Sequence, residues 1–456
     1  MEKRVKAEDY ASQLPQHLLH HILSFLSLKQ IIQTSVLSKT WYRAWNTLHI
    51  LKFDFLDIFS DINRAIYEVN RQPQYNFVDQ ILLTRSRQMI SLKKFTVIMP
   101  WCAQTQHTVS AADRWIGYAL ESRVKELKVA NCPYACGEKI KYSVPQSIFH
   151  SNWIQVLHLR DCELKLPFSG NVKLSCLKQL TFGKVYVDDN FVRDLLAGSP
   201  MLEDISLIRV FGIKELNVFN LVKLGKIHIE WLPDLEKLAL LAPNLESITL
   251  IAGEYKGINL GVSCKYLSIS LSSISDKWLN EQLKRLPHLE NLKLYFCPKL
   301  ERIEISNPLV SKLLIQGCAK LSSVQIDAPC LRYFTYIGDI VSVFSSTNRI
   351  TLSEVSLDFY SKTWDITWYV RLIELLANFN TSFNVLKYVF KNWTGKWVVI
   401  PEEVKNMAAP PLSNVKELGL QIQSQTDALP MSQLEDAMSW IAPHPQSLSI
   451  SINKYY

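Results

Sequence analysis

From residue 202 onward the chain restates one short phrase, apolar-x-x-apolar-x-apolar, at a nearly fixed interval. The copies begin at Leu202, Leu224, Leu245, Cys264, Leu289, Val310, Leu331 and Leu352, so the steps are 22, 21, 19, 25, 21, 21 and 21 residues. Earlier copies stand at Val124/Leu127/Val129, Ile154/Leu157/Leu159 and Leu177/Leu180/Phe182. A period in the twenties predicts a stack of coils that grows in one dimension. The last two apolar positions of each copy are two apart, which is strand alternation. Each coil is therefore expected to contribute one short strand to a common parallel sheet.

Four copies extend the phrase by a cysteine three residues on, at Cys132, Cys162, Cys297 and Cys318. The pattern L-x-x-L-x-L-x-x-C is the leucine-rich-repeat signature. It makes these cysteines small buried residues at the corner where strand turns to loop. Cys132 and Cys136 lack the second pair a tetrahedral zinc site needs. A second phrase follows the first after 10 or 11 residues, at Ile213/Leu216/Val218, Leu235/Leu238/Leu240, Leu300/Ile303/Ile305 and Leu321/Val324/Ile326. Those coils have no room for a three-turn helix and should return through a short extended segment. Residues 188–198 and 275–286 do have room for helices. The expected fold is α/β: a leucine-rich-repeat solenoid with parallel strands on its concave face and mixed short helices and extended segments on its convex face.

The first fifty residues follow a different rule. After Leu14-Pro15, the residues Leu18, Leu19, Ile22, Leu23 and Leu26 recur at helical spacing. A second helix carries Ile31, Ile32, Ser35 and Val36. Ser38 reads as the N-cap of a third, with Leu37 and Tyr42 placed for a hydrophobic staple and Trp41 and Trp45 on one face. Three helices in so short a segment do not cover all this apolar surface by themselves. Either the next coil or a partner protein covers the remainder.

Leu14-Pro15-x-x-Leu18-Leu19-x-x-Ile22-Leu23-Ser24-Phe25-Leu26, followed by Thr34-Ser35-Val36-Leu37-Ser38-Lys39-x-Trp41 and ending at Trp45, resembles the plant F-box. The resemblance implies binding to the Skp-type adaptor of an SCF ubiquitin ligase, and through it to a cullin and a RING subunit. By motif position it assigns Leu14, Pro15, Leu18, Leu19, Ile22, Leu23, Leu26, Val36, Leu37 and Trp41 to the adaptor interface or its support, with Trp45 in the core. Gln16, His17, Gln30, Gln33 and Thr40 stand where the family usually has charged residues; these departures remove charges and keep the apolar anchors. Residues 411–420 and His444-Pro445-x-x-Leu448-Ser449-Ile450 resemble the C-terminal FBD segment of plant F-box/leucine-rich proteins. The expected organisation is a disordered 1–11, an F-box at 12–50, the solenoid at 51–364, and FBD-like repeats with a cap at 365–456. Within that last part a helix is expected over 365–378, a strand or hairpin over 393–399, and a helix over 431–440.

Outward strand positions Glu290, Asn291, Lys293, Lys312 and Gln316 are the candidate contacts for a target protein. They mix both charge signs, which suits a protein better than a polyanion. The net charge of +8 is spread along the chain rather than gathered in a nucleic-acid-binding stripe. The first ten residues lack a signal-peptide core and no apolar run is long enough to cross a bilayer, so a cytoplasmic or nuclear protein with reduced cysteines is expected. His17, His20 and His21 read as a solvated turn, and Trp364/Trp368 and Trp393/Trp397 as core or cap packing rather than a ligand cage. No phosphate-binding, hydrolase, kinase or metalloprotease motif is present, so neither a cofactor nor catalysis by this chain is expected. The role implied is substrate recognition for the ligase. Two alternatives stay open: an interaction scaffold outside the ligase, and a receptor gated by a small molecule, with Arg85, Arg87, Lys93 and Lys94 as lining for an anionic ligand if they do not simply occupy an exposed early coil.

Overall fold

A computed structural model describes residues 13–36, 38–54, 72–99, 106–131, 142–164, 171–253, 257–340, 343–346, 350–359, 364–392, 398–413, 415–422 and 431–452. The chain forms two compact units, Met1–Lys214 with Leu221–Leu224, and Glu215–Asn220 with Gly225–Tyr456.

The first unit begins with three helices, α1 (Gln16–Phe25), α2 (Leu28–Ser35) and α3 (Lys39–Asn46). The chain then enters β1 (Ile50–Asp54), α4 (Gln72–Arg87), β2 (Lys94–Met99), α5 (Gln106–Glu121) and β3 (Glu126–Asn131). Shorter coils follow: β4 (Tyr142–Val144), β5 (Val156–Arg160), β6 (Cys162–Leu164), β7 (Gln179–Gly183), α6 (Asp189–Ala197) and β8 (Asp204–Ile208). Strands β1, β2, β3, β5, β7 and β8 pair in parallel in that order. The register is direct: Phe53 lies beside Val97, Val97 beside Val129, and Val129 beside Leu159. All four are buried, so the apolar position of each coil stacks on the same position of the next.

The second unit opens with β9 (Glu215–Val218), β10 (Lys226–Glu230), β11 (Lys237–Leu240), β12 (Ser247–Ile251), β13 (Gly257–Leu260) and β14 (Tyr266–Ser270). Next come α7 (Asp276–Arg285), β15 (Asn291–Tyr295), β16 (Arg302–Ser306), β17 (Lys312–Gln316), β18 (Ser323–Asp327), β19 (Tyr333–Gly338) and β20 (Val343–Ser345). The last elements are β21 (Ile350–Phe359), α8 (Ile366–Ser382), β22 (Phe383–Asn392), α9 (Glu402–Met407), β23 (Glu417–Ile422), α10 (Met431–Ile441) and β24 (Ser447–Ile452). The main strands again pair in parallel from β10 through β24. The interleaved phrase forms the short extended returns: β9, β11 and β13 pair, as do β16, β18 and β20. The two roomy coils carry the expected helices, capped where Asp188 accepts from the Phe191 N–H and Ser275 from the Trp278 N–H.

Beyond residue 364 the same sheet continues through β22, β23 and β24. The expected helices are there, as α8 with Asp365 as N-cap and as α10. Trp364 and Trp368 stack at 5.5 Å, and Trp368 is buried edge-on against Tyr369. Trp393 and Trp397 lie outside the described residues, as do residues 1–11, Cys132 and Cys136. Cys162, Cys297 and Cys318 are buried, each thiol facing the carbonyl two residues back, of Arg160, Tyr295 and Gln316.

A ladder of left-handed residues closes the strand ends. Asp161, Lys184, Trp231, Ala252, Leu271, Phe296 and Gly317 all have positive φ. Each donates its N–H to a carbonyl at or next to the end of the next main strand: Trp231 to Ile251, Leu271 to Tyr295, and Gly317 to Ile337 at 2.7–2.9 Å. A side chain in this conformation costs about 1–2 kcal/mol, offset in part by a hydrogen bond that would otherwise be unmade. Gly317 alone among the seven is glycine; a Cβ there would collide with the Phe296 ring.

Candidate functional site

Helix α1 carries two adjacent apolar stripes rather than one. Leu19 and Leu23 point inward and are 1% exposed. Leu18, Ile22 and Phe25, spaced to form a second stripe, are 41%, 37% and 75% exposed. Pro15 is exposed, and Leu14 and Leu26 are half-buried at the two ends. Helix α2 starts on a capping box: Gln30 N–H donates to the Ser27 hydroxyl, and the Gln30 side chain accepts from the Ser27 N–H at 2.9 Å. Gln30 thus has a local task that needs no charge. Leu28 and Ile31 face the core, while Val36 at the end of α2 is 81% exposed. Ser38 caps α3 by accepting from the Trp41 N–H at 3.3 Å. Trp41, Ala44 and Trp45 fill the middle of the bundle.

The resemblance-derived set therefore divides. Leu18, Ile22 and Val36 are surface, with Pro15 beside them and Leu14 and Leu26 at the margin. Leu19, Leu23 and Trp41 are buried supports. Leu37 lies outside the described residues, and Tyr42, its expected staple partner, is exposed. Phe25 belongs to the motif but not to the contacts the resemblance implies, yet it is the most exposed apolar side chain of α1; its spacing of seven from Leu18 is the signal.

The histidines are not alike. His17 and His21 are exposed, and the His21 ring meets Phe25 edge-on. His20 is half-buried; its Nε2 lies 3.0 Å from the Thr47 hydroxyl, which also accepts from Gln16 Nε2 and donates to the Arg43 carbonyl. Burial, helped by the neighbouring His49, holds His20 below its ordinary pKa. No metal-binding group of three or more His, Cys, Asp or Glu occurs among the described residues.

Arg85 corrects an expectation. It lines no anion site and lies on no exposed coil: it is 2% exposed, in the last turn of α4. Its guanidinium donates to the carbonyls of Trp45 and Asn46 at 3.0 Å and to that of Leu48, and lies 5.6 Å from the centre of the Trp45 ring. Trp45 and Asn46 end α3, where carbonyls lack their helical partners; the Trp45 carbonyl also accepts from the Leu48 N–H at 3.1 Å. Arg85 thereby ties the three-helix bundle to the first coil. Lys94 meets Glu126 at 3.1 Å across the sheet, a surface pair.

In the second unit, Asn291 and Lys312 are register partners on β15 and β17, as are Tyr295 and Gln316. Lys293 is outward beside Ser268 and Leu314. Lys312 lies 5.4 Å over the Tyr333 ring. Glu290 precedes β15, and its carboxylate adds to the field of Glu246 on Lys265. Of the five candidate contacts, Asn291 and Lys293 line a common shallow depression of about 220 Å³ with Ser247, Thr249, Ser268 and Tyr295.

Comparison with known families bears on both units. The F-box domain model matches residues 11–53, and the leucine-rich-repeat domain model named At1g61320/AtMIF1 matches residues 83–288. The chain carries an F-box domain followed by a leucine-rich-repeat domain. Similar proteins of this kind come from Arabidopsis thaliana. F-box/LRR-repeat protein At3g03360 is 23% identical over 80% of this chain and 77% of its own length. F-box/FBD/LRR-repeat protein At1g13570 is 28% identical over 59% of this chain, and FBD-associated F-box protein At5g22730 is 27% identical over 49%. The match spans 54% and 45% of the length of these last two. No helix among the described residues is long and apolar enough to cross a membrane.

Proposed function

We propose that this chain is the substrate receptor of an SCF ubiquitin ligase. Its N-terminal bundle docks on the Skp-type adaptor, which bridges to the cullin and RING subunits, and its repeats capture a target protein. One observation carries the reading: α1 presents the outward stripe Leu18, Ile22 and Phe25, while Leu19 and Leu23 are already buried in the bundle's own core. An apolar face of this kind, rimmed by polar residues, is the usual mark of a protein contact. The chain's contribution to ubiquitin transfer is positional: it holds target lysines near the charged conjugating enzyme, making the attack effectively intramolecular. Co-expression with a plant Skp-type adaptor and cullin tests the assembly. The expected result is a stable complex that the full chain enters through residues 12–50; free chain beside an intact adaptor–cullin pair would overturn it.

A further inference from the structure

The outward face of the second unit's main sheet is not electrically uniform. Toward β10, His228 and Glu230 face each other at 3.8 Å; toward β22, Glu354 and Lys387 pair at 3.4 Å. Between them, strands β12, β14, β15, β17 and β19 present fifteen outward positions, and the charges among these are Lys293 and Lys312 alone. The acid closest in sequence, Glu290, sits before the strand, beside Lys265. Most of the other positions carry hydroxyls, including Thr249, Ser268 and Tyr295 in the depression around Lys293. Apolar side chains rim the same window: Tyr266 and Tyr333 at one edge, Leu271 and Phe296 at the other, all 45% exposed or more. Leu271 and Phe296 are held there in the left-handed conformation, unusual for bulky residues.

From this charge complementarity we infer that the window takes an extended acidic segment of a target protein, its carboxylates on Lys293 and Lys312 and its apolar side chains on the rims. This rests on the receptor reading and adds the class of target. The depression is smaller than typical small-molecule pockets of about 300–1,000 Å³, while the face around it runs on across strands as a peptide requires. Two lysines among hydroxyls suit single carboxylates; bidentate phosphate recognition is more often built from arginine.

The test uses the full chain and a fluorescein-labelled decapeptide of alternating Glu and Leu, with the Lys-Leu counterpart as comparison. The acidic peptide should bind, weaken as salt is raised, and lose about tenfold or more in affinity with K293E/K312E. Lys299→Glu, an equal charge change per site on an exposed loop, should leave binding within about twofold. Thermal melting shows whether the double variant folds. Equal binding of the two peptides, or a Lys299→Glu loss matching that of K293E/K312E, would overturn the inference. Adaptor capture, measured on the same preparations, reports separately on the receptor reading, because both lysines lie far in sequence from residues 12–50.

Discussion

The Arg85 guanidinium donates to the Trp45 carbonyl across forty residues of sequence, while its face rests 5.6 Å from the Trp45 ring. One side chain therefore fixes the end of the F-box bundle to the first helix of the repeats. The bundle that bears the exposed stripe on α1 is thereby anchored to the first coil.

Replacing Arg85 with methionine takes the guanidinium donor from the carbonyls of Trp45, Asn46 and Leu48, of which Trp45 keeps a backbone donor, the Leu48 N–H at 3.1 Å. Hydrogen bonds to a charged group are worth about 1.5–3 kcal/mol each, and buried orphans cost comparably. A loss of about 2–4 kcal/mol is expected in urea unfolding of the full chain. Arg85→Lys should recover part of it, since an ammonium cannot span all three acceptors.

Asp276 joins two successive coils. Its carboxylate accepts from the Glu301 N–H at 2.9 Å and the Arg302 N–H at 3.0 Å. In Asp276→Ala these donors lose their protein partner, but the site is exposed and water replaces it. A cost of about 1–2 kcal/mol in chemical denaturation is expected.

Gly198 ends α6 so close to the neighbouring coil that a Cβ would strike the Val172 carbonyl oxygen. Its φ is ordinary, so the constraint is space and not backbone conformation. Gly198→Ala should destabilise by about 1–3 kcal/mol, read as a lowered melting temperature.

Asp358 on β21 is pushed from its ordinary 3.8 to about 6 by burial, with Lys391 opposing the rise. The folded state therefore holds this proton more tightly than the unfolded chain. The resulting stabilisation is complete below about pH 4 and is lost as pH rises through about 6. Melting of the wild type and Asp358→Asn should coincide near pH 4. Above pH 6 the asparagine variant should be the more stable; a constant difference between the two across this range would contradict the assignment.

Much of this architecture was legible because the repeat is a one-dimensional code. The spacing of Leu216 and Val218 after Ile205 and Leu207 left no length for a helix, and β9 is there. Asp188 and Ser275 marked the two helices that did fit. Strands β1, β2 and β3 begin at Ile50, Lys94 and Glu126, steps far wider than the later period, so β1 and β2 around Phe53 and Val97 do not stand out from it. The left-handed ladder was hidden for another reason. Glycine is the residue that advertises positive φ, and here Trp231, Leu271 and Phe296 adopt it because a hydrogen bond to the next coil holds them there. At the candidate site, helical spacing finds Leu18, Leu19, Ile22 and Leu23 of α1, passes over Phe25, and does not divide Leu18 and Ile22 from Leu19 and Leu23. The two stripes are adjacent on one helix, and which of them the bundle covers is decided by α2, α3 and Trp45. The role of Arg85 is hidden in the sequence because its acceptors are backbone carbonyls, which have no letter there.

The proposed docking face is tested most directly by titrating a purified Skp-type adaptor into the full chain by calorimetry, with wild type and with L18D/I22D. Both substituted residues are exposed, so the variant should keep the wild-type melting behaviour. It is expected to lose at least about 100-fold in affinity, the scale of two anchors at the centre of an interface. Equal affinities for wild type and variant, or no adaptor binding by the folded wild-type chain, would contradict the account.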